Sequence, residues 1–151
     1  AGPRPGACGP HTRGTPMRVD ETVHAGDLRE WLEPDGRGGF ASGTVSGIRT
    51  RRYHALLLPA TTPPTGRVVL VSGLDVWVDG PWGSVALSSQ RYAPDVVYPD
   101  GASRLSGFTT DPWPTWTFTL PDGSRLVHEL VVDRESGSTA LRWTAGTRDG
   151  A

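Results

Sequence analysis

The sequence predicts an all-β protein built as an antiparallel β-sandwich. Its 151 residues include 20 glycines and 14 prolines, which are spread so that they interrupt most windows of helical length. Short apolar or alternating runs recur at intervals of roughly 8 to 12 residues, separated by turn signals instead of helical segments. This spacing favours antiparallel strands in a sandwich or barrel over a parallel sheet.

The first distinctive segment is residues 30–54, which is dense in glycine and ends in a basic and aromatic run. It is predicted to be neither a regular helix nor a plain strand. Because glycine is costly to order, we expect this segment to turn sharply or to lie close against another surface.

Four strands are predicted in the middle of the chain. Residues 53–58 and 67–71 are typical of buried strands joined by a turn-rich linker. In residues 74–78, Leu, Val and Val stand at every second position up to Asp79-Gly80, which is a strong turn signal. Residues 84–90 are the predicted hairpin partner of this strand.

The clearest hairpin lies near the end of the chain. Trp116, Phe118 and Leu120 alternate with threonines before a turn at residues 121–123, and residues 125–132 are predicted to return as the second strand. A last strand at residues 139–144 places its Leu and Trp on one face and its Arg on the other.

Composition and charge exclude several classes of function. The chain has 15 basic and 16 acidic residues, and its net charge of −1 favours neither nucleic acid nor a membrane surface as a partner. Cys8 has no second cysteine for a disulfide or a metal cluster, and the longest apolar runs are too short to span a bilayer. We therefore expect a cytoplasmic protein without a metal ion or other cofactor.

The chain is predicted to hold one domain. Residues 1–16 are rich in glycine and proline and carry few apolar side chains, so they are expected to form a disordered tail. The domain itself is predicted to span residues 17–151.

A nucleotide-binding loop is the first functional alternative, because residues 36–41 satisfy the pattern G-x-G-x-x-A. That fingerprint needs a preceding strand, a following helix and an acidic residue about 20 positions further on. Residues 33–35 are turn-like, residues 42–47 open a helix poorly, and residues 56–60 hold no acid. A P-loop also fails, since residues 38–43 are followed by Thr44 instead of by Lys and Ser or Thr.

A basic and aromatic cluster ends the segment, formed by Arg51, Arg52, Tyr53 and His54. Guanidinium groups bind planar polar partners through paired hydrogen bonds, so this cluster is a candidate for gripping a ligand or a neighbouring domain. The alternative is a solvated strand end, whose exposed charges contribute little.

Six tryptophans are a high count for a chain of this size, and aromatic faces can stack on the apolar faces of sugar rings. Trp82 and Trp113 lie beside prolines or glycines in predicted loops and are the better candidates for sugar contact. Trp77, Trp116 and Trp143 occupy strand positions and are expected to fill the core.

No catalytic residue is assigned. The spacing of the acidic residues singles out no pair of carboxyl groups that could act as an acid and a base or nucleophile. His54 and His128 are expected to be packed or capped strand residues. The aspartates that precede glycine are predicted to be turn residues; they are Asp35, Asp79, Asp100 and Asp122.

Two blocks of sequence occur in a fixed order. Glu30-Trp31-Leu32 is followed by GGFASGT at residues 38–44, and TRRYH at residues 50–54 is followed by Leu56-Leu57. Both blocks resemble the N-terminal domain of the bacterial and archaeal type of glycogen debranching enzyme, and the likeness covers about residues 28–144. Asp35, Arg37 and Ala55 depart from the Asn, apolar residue and Gly of the family pattern.

The resemblance decides for the sandwich over the barrel, and it implies a supersandwich-like β-sandwich that acts as an N-terminal accessory domain. Family members carry a catalytic (α/α) barrel after this domain, and the chain here stops at Ala151. The barrel is therefore taken as absent, and the sandwich is expected to be truncated at its C-terminal end. Later strands of the sandwich are then expected to be missing.

The implied role is to dock on the catalytic barrel and to shape α-glucan access during α-1,6-glucosidase and 4-α-glucanotransferase action on glycogen. The implied partners are glycogen or maltooligosaccharides and the catalytic domain of the same enzyme. The residues expected at the substrate or domain interface are Gly38, Gly39, Phe40, Ser42, Arg51, Arg52, Tyr53, His54 and Trp113.

Two alternatives stay open. The chain is either a purely structural module, whose glycine block and TRRYH run form a domain interface without sugar contact, or an independent carbohydrate-binding module. The second alternative predicts that sugar affinity depends on stacking against Trp113.

Overall fold

The computed structural model describes residues 29–146, which form an all-β structure with antiparallel strands. The predicted fold class is confirmed, and the predicted tail at residues 1–16 lies outside the described residues. The strands are β1 (Glu30–Pro34), β2 (Phe40–Thr44), β3 (Ala55–Leu58), β4 (Ala60–Thr62), β5 (Thr65–Arg67), β6 (Trp77–Gly80), β7 (Gly83–Ala86), β8 (Ser89–Tyr92), β9 (Val96–Asp100), β10 (Leu105–Thr109), β11 (Thr115–Thr119), β12 (Arg125–Val132) and β13 (Thr139–Gly146).

Two sheets form the sandwich. One has the strand order β1-β2-β3 and the other β10-β11-β12-β13. Between them in sequence lie three two-stranded ribbons, β4-β5, β6-β7 and β8-β9, and a short 3-10 helix at Gly101–Arg104 precedes β10. Across residues 29–146, no helix has the length and apolar character needed to cross a membrane.

The glycine-dense segment is neither a helix nor a single strand, as predicted, and it contains two short strands with turns after each. β1 pairs with β2 in antiparallel register, and Trp31 lies opposite Gly43. A Cβ atom at Gly43 would stand 3.1 Å from the Trp31 ring. The glycine therefore makes room for the indole across the strands, and the strand persists although glycine weakens strands in general.

The two sheets are joined by a pair of tryptophans. The rings of Trp31 and Trp116 meet edge to face with their centroids 5.3 Å apart. The Trp31 indole N–H donates to the carbonyl of Thr44 over 3.2 Å, and that of Trp116 donates to the carbonyl of Val45 over 3.0 Å. Both buried indoles thus satisfy their polar atom on the backbone at the end of β2. The Trp31 bond lies within the first sheet, and the Trp116 bond ties the second sheet to the first.

The hairpin predicted near the chain end is confirmed as β11 and β12. Asp122 Oδ1 accepts the backbone N–H of Ser124, and Gly123 adopts the positive φ of 81° that the turn requires. β13 then pairs with β12 along its full length, which confirms the last predicted strand.

Four rings form a continuous row across the second sheet. Phe108 lies opposite Trp116, Trp116 opposite His128, and His128 opposite Trp143. The centroid distances along this aromatic row are 5.1, 5.1 and 3.8 Å. The row begins in the core at Phe108 and ends at Trp143 on the edge strand, where the side chain is 37% exposed.

Burial of the tryptophans was predicted with mixed success. Trp116 is buried as expected, whereas Trp143 is partly exposed and Trp77 is 47% exposed. The expectation that all three fill the core is therefore wrong for two of them. Trp143 lies on an edge strand, and Trp77 projects from a two-stranded ribbon on the side opposite Val76 and Val78, which pack against the core cluster.

The middle of the chain departs from the predicted strands. Residues 67–71 are not a buried strand, because Val68, Val69 and Leu70 are exposed. Arg67 is the last residue of β5, and Val71 forms an isolated bridge to Leu57. The predicted partner at residues 84–90 is divided between β7, which does pair with β6, and β8, which pairs with β9. The turn between β6 and β7 falls at residues 81–82 and not at Asp79-Gly80.

Candidate functional site

The run at residues 50–54 is held by a carboxylate on β1. Glu30 Oε1 accepts from Arg51 Nε over 2.5 Å and lies 3.4 Å from His54 Nε2. The backbone N–H of Thr50 donates to His54 Nδ1 over 3.2 Å, which leaves the proton of the neutral imidazole on Nε2, toward Glu30. This arrangement fixes the loop that precedes β3 against the start of β1.

The pKa values of Glu30, Arg51 and His54 are each shifted by their surroundings in this cluster. The hydrogen bond from Arg51 lowers the pKa of Glu30 and raises the pKa of Arg51 in return. Burial lowers the pKa of His54, and the nearby Glu30 carboxylate opposes that effect without cancelling it. Near neutral pH the cluster therefore consists of an ion pair beside a neutral, buried histidine.

An open cleft of about 270 Å³ lies over this cluster, and we name it the Glu30 cleft. Five of the residues predicted at the interface line it, although they come from two separate blocks of sequence. Ser42 Oγ donates to the carbonyl of Tyr53 over 3.2 Å, which joins the blocks at the cleft floor. The lining residues are Glu30, Trp31, Leu32, Phe40, Ser42, Arg51, Tyr53 and His54.

Three side chains lie at the border of this cleft. The Tyr53 ring is half exposed, and the Arg52 guanidinium carbon stands 5.7 Å from its centroid, in the range of a cation–π contact. Leu32 is also exposed. The border of the cleft thus combines an aromatic ring, a cation and an aliphatic side chain.

The predicted glycines face the chain itself instead of the cleft. A Cβ atom at Gly38 would stand 2.6 Å from the Pro64 carbonyl oxygen, and one at Gly39 would stand 2.6 Å from the Leu58 carbonyl oxygen. Gly38 has a φ of 101°, a region that side chains rarely adopt. The expected close approach is therefore confirmed, and the surface approached is the backbone around Pro59 and Pro64.

Asp35 organises this glycine loop. Its Oδ1 accepts the N–H of Arg37 over 2.7 Å and that of Gly39 over 2.8 Å, and the carboxylate is buried. Arg67 donates to the carbonyl of Gly38 over 2.6 Å from the other side. The predicted turn role of Asp35 is confirmed, and the loop leads into strand β2 and not into the helix that a dinucleotide-binding loop needs.

Trp113 lies apart from the Glu30 cleft. Its indole N–H donates to Glu129 Oε1 over 3.0 Å, and Arg142 binds the same carboxylate through two bonds of 2.6 and 2.8 Å. Hydrogen bonding from Arg142 lowers the pKa of Glu129. The structure therefore brings together the residues of the two sequence blocks but leaves Trp113 in a separate cluster on the second sheet.

The structure contains a second, larger cavity that was not predicted from the sequence. It has a volume of about 360 Å³ and lies between the end of β2, the segment at residues 72–76 and the outer half of the aromatic row. His128 and Trp143 line it, and burial lowers the pKa of His128 to about 4, so the ring is neutral at pH 7. The sequence did contain a signal for part of the cavity wall, because the predicted hairpin places Trp116 and His128 on facing strands.

Trp82 is the second loop tryptophan that was a candidate for sugar contact. Its ring packs on Gly80, where an added Cβ atom would stand 2.5 Å from the indole, and its buried Nε1 has no hydrogen-bond partner. Among residues 29–146, no group of three or more histidine, cysteine, aspartate or glutamate side chains is arranged to hold a metal ion.

Comparison with known proteins identifies the family. The family model described as glycogen debranching enzyme N terminal matches residues 29–150, which is most of the chain. Neither the curated proteins nor the solved structures gave a match. The matched region contains both sequence blocks, the Glu30 cleft and the sandwich that supports it. On this evidence the chain belongs to the family of glycogen debranching enzyme N-terminal domains.

Proposed function

We propose that the chain is an accessory domain of a glycogen debranching enzyme, which docks on a helical catalytic barrel through the Glu30 cleft. In this position the domain shapes the approach of α-glucan to the barrel. The observation that carries the proposal is that both sequence blocks contribute side chains to one open cleft, with Arg51, Tyr53 and His54 beside Glu30 and Phe40.

The composition of the cleft border suits a docking surface. Tyrosine and arginine are enriched where protein interfaces carry most of their binding energy, and Tyr53 and Arg52 supply both here. The Glu30–Arg51 ion pair holds the loop in place before any partner arrives. A pre-ordered loop lowers the entropy cost of association, so a modest contact area can still bind.

The chemistry of debranching belongs to the barrel in this proposal. A glycosidase acid must hold a proton near neutral pH, whereas Glu30 and Glu129 each accept from an arginine that lowers their pKa. These carboxylates are therefore suited to holding structure. The domain then contributes by positioning glucan for α-1,6-glucosidase and 4-α-glucanotransferase action at the barrel.

A purely structural role is the second candidate, and one observation favours it. The space beside Gly38 and Gly39 is filled by backbone atoms of Pro64, Leu58 and Pro59, which is what an internal packing motif requires. An independent carbohydrate-binding module that depends on Trp113 is less favoured, because the Trp113 side chain is only partly exposed.

Kinetics of the intact enzyme separate these candidates. We expect Tyr53→Ala and Arg52→Ala to raise KM or lower kcat on glycogen while the unfolding temperature stays near that of the parent enzyme. Val68→Ala, an exposed apolar change away from the cleft, is the control and leaves the kinetics unchanged. A loss of stability with unchanged kinetics supports the structural candidate, and no change in either quantity contradicts both.

A further inference from the structure

We propose that Trp77 and Tyr98 form a surface site for an α-1,4-linked glucan, separate from the Glu30 cleft. Trp77 stands on β6 and Tyr98 on β9, and their ring centroids are 6.5 Å apart with a tilt of 57° between the ring planes. Trp77 is 47% exposed and Tyr98 is 63% exposed. We name this pair and its polar neighbours Asp75, Gln90 and Tyr92 the Trp77 platform.

The polar neighbours are held in a fixed order. Gln90 Nε2 donates to Asp75 Oδ1 over 2.6 Å, and Tyr92 donates its hydroxyl proton to Gln90 Oε1 over 3.2 Å. Both ends of the amide are therefore oriented by these two bonds. The second oxygen of Asp75 and the second amide proton of Gln90 are left over to pair with ligand hydroxyls.

Topology brings these groups to one face. Asp75 precedes Trp77 by two residues, so their side chains project to the same side in extended backbone. On the neighbouring ribbon, Tyr92 lies opposite Val96, and Tyr98 follows Val96 by two residues on β9. The contact between the Trp77 and Tyr98 rings closes the two ribbons into one continuous surface.

A sugar fits this surface better than a protein does. The exposed rings offer stacking area for the apolar faces of glucose units, and the fixed carboxylate and amide offer partners for their hydroxyls. Under an apolar protein surface, the Asp75 carboxylate would lose its water without gaining a partner, which is costly. Charged side chains are correspondingly depleted at the centres of protein interfaces.

The tilt of the rings selects the linkage. An α-1,4 linkage inclines successive glucose rings to one another, so the chain curves, whereas a β-1,4 chain is a flat ribbon. Two aromatic rings inclined at 57° are not coplanar, which suits a curved chain better than a flat one. The choice of an α-glucan also rests on the proposed function, because the family acts on glycogen.

The test is calorimetric titration of the 151-residue chain with maltoheptaose and, as the linkage control, with cellohexaose. We expect binding of maltoheptaose only. Trp77→Ala and Tyr98→Ala each weaken it by about tenfold, the scale of truncating one well-placed aromatic contact. Trp77→Phe keeps an aromatic face and stays within about threefold of the parent affinity. Leu70→Ala, an exposed apolar change outside the platform, has no effect.

Three results would overturn the site. They are absence of maltoheptaose binding by the parent chain, unchanged binding by both alanine variants, and equal binding of cellohexaose. One further outcome also counts against the site. If Trp77→Ala or Tyr98→Ala weakens association with the catalytic domain but not binding of maltoheptaose, the two rings form a protein interface. Unchanged KM and kcat in the Tyr53→Ala and Arg52→Ala enzymes would contradict the role of the Glu30 cleft alone. Maltoheptaose binding at the Trp77 platform would be unaffected by that outcome, so the two proposals can fail separately.

Discussion

The imidazole of His128 stacks on the indole of Trp143, with the ring centroids 3.8 Å apart and the planes inclined by 15°. On its other side His128 stacks on Trp116 at 5.1 Å. His128 is partly buried between the two indoles, and its Nδ1–H donates to the Arg142 carbonyl over 3.3 Å. The aromatic row therefore holds this histidine in its neutral form.

The first prediction is that His128 makes the fold sensitive to acid. Its pKa is lowered from 6.5 to about 4 by burial, so the unfolded chain binds a proton that the folded chain excludes between these values. The contribution of His128 to stability is complete above pH 6.5 and is lost as the pH falls toward 4. We expect about 2–3 kcal/mol of lost unfolding free energy over this interval.

Urea unfolding of the parent and of His128→Phe at several pH values checks this prediction. The variant keeps an aromatic ring in the row but does not titrate there. The pKa values of Glu30, Glu129 and Asp133 are also lowered in the folded protein. Their contribution to the unfolding free energy therefore falls on acidification in both the parent and the variant. We expect a smaller loss of stability in the variant between pH 6.5 and 4, and parallel curves would contradict the prediction.

The second prediction concerns the tryptophan that joins the sheets. Trp116→Phe removes the indole N–H that Val45 accepts and leaves space beside Trp31. We expect a loss of about 2–3 kcal/mol in unfolding free energy from the unpaired buried carbonyl and the reduced packing. Trp77→Phe is the matched control, because the same change at a half-exposed ring should stay within about 0.5 kcal/mol.

Chemical denaturation of both variants gives the comparison. Equal losses at the two positions would show that the inter-sheet hydrogen bond and packing of Trp116 carry no special weight. A loss at Trp77 larger than that at Trp116 would also contradict the account of the core.

The third prediction separates the glycines that pack from a glycine that does not. Gly39→Ala places a Cβ atom 2.6 Å from the Leu58 carbonyl oxygen, so the loop or the strand must shift. We expect a loss of about 1–3 kcal/mol, the range of overpacked sites. At Gly73 no atom lies within 4 Å of the added Cβ, and Gly73→Ala should be neutral or stabilising.

Thermal melts of the two alanine variants measure this difference directly. A melting temperature of Gly39→Ala equal to that of the parent would mean that the glycine loop does not lie against residues 58–59 in solution.

The fold class was predictable because its signals are local. Alternation in residues 115–132 predicts the β11–β12 hairpin, since period two and an Asp-Gly turn leave few other conformations. The strands that were missed, such as β2 and β9, depend on contacts from elsewhere. Gly43 stays in a strand because Trp31 fills the space above it, and β9 forms on β8 although Pro94 and Pro99 signal turns.

The candidate site was predictable in part for the same reason. The two sequence blocks predicted Phe40, Ser42, Arg51, Tyr53 and His54 as interface residues, and all five line one cleft in the structure. The role of Glu30 as their anchor required the pairing of β1 with β2, which no local pattern specifies. The exposure of Trp77 and the platform that it forms with Tyr98 likewise depend on which ribbons meet in space.

The central claim is that the Glu30 cleft is a docking surface, and hydrogen exchange tests it most directly. Backbone amide exchange at residues 51–53 is compared between the 151-residue chain alone and the same domain joined to its catalytic barrel. Residues 61–67 of the β4–β5 ribbon, which are exposed in the domain, serve as the internal control. We predict slower exchange at residues 51–53 in the joined protein and unchanged exchange in the ribbon. Equal exchange at residues 51–53 in both proteins would contradict the account.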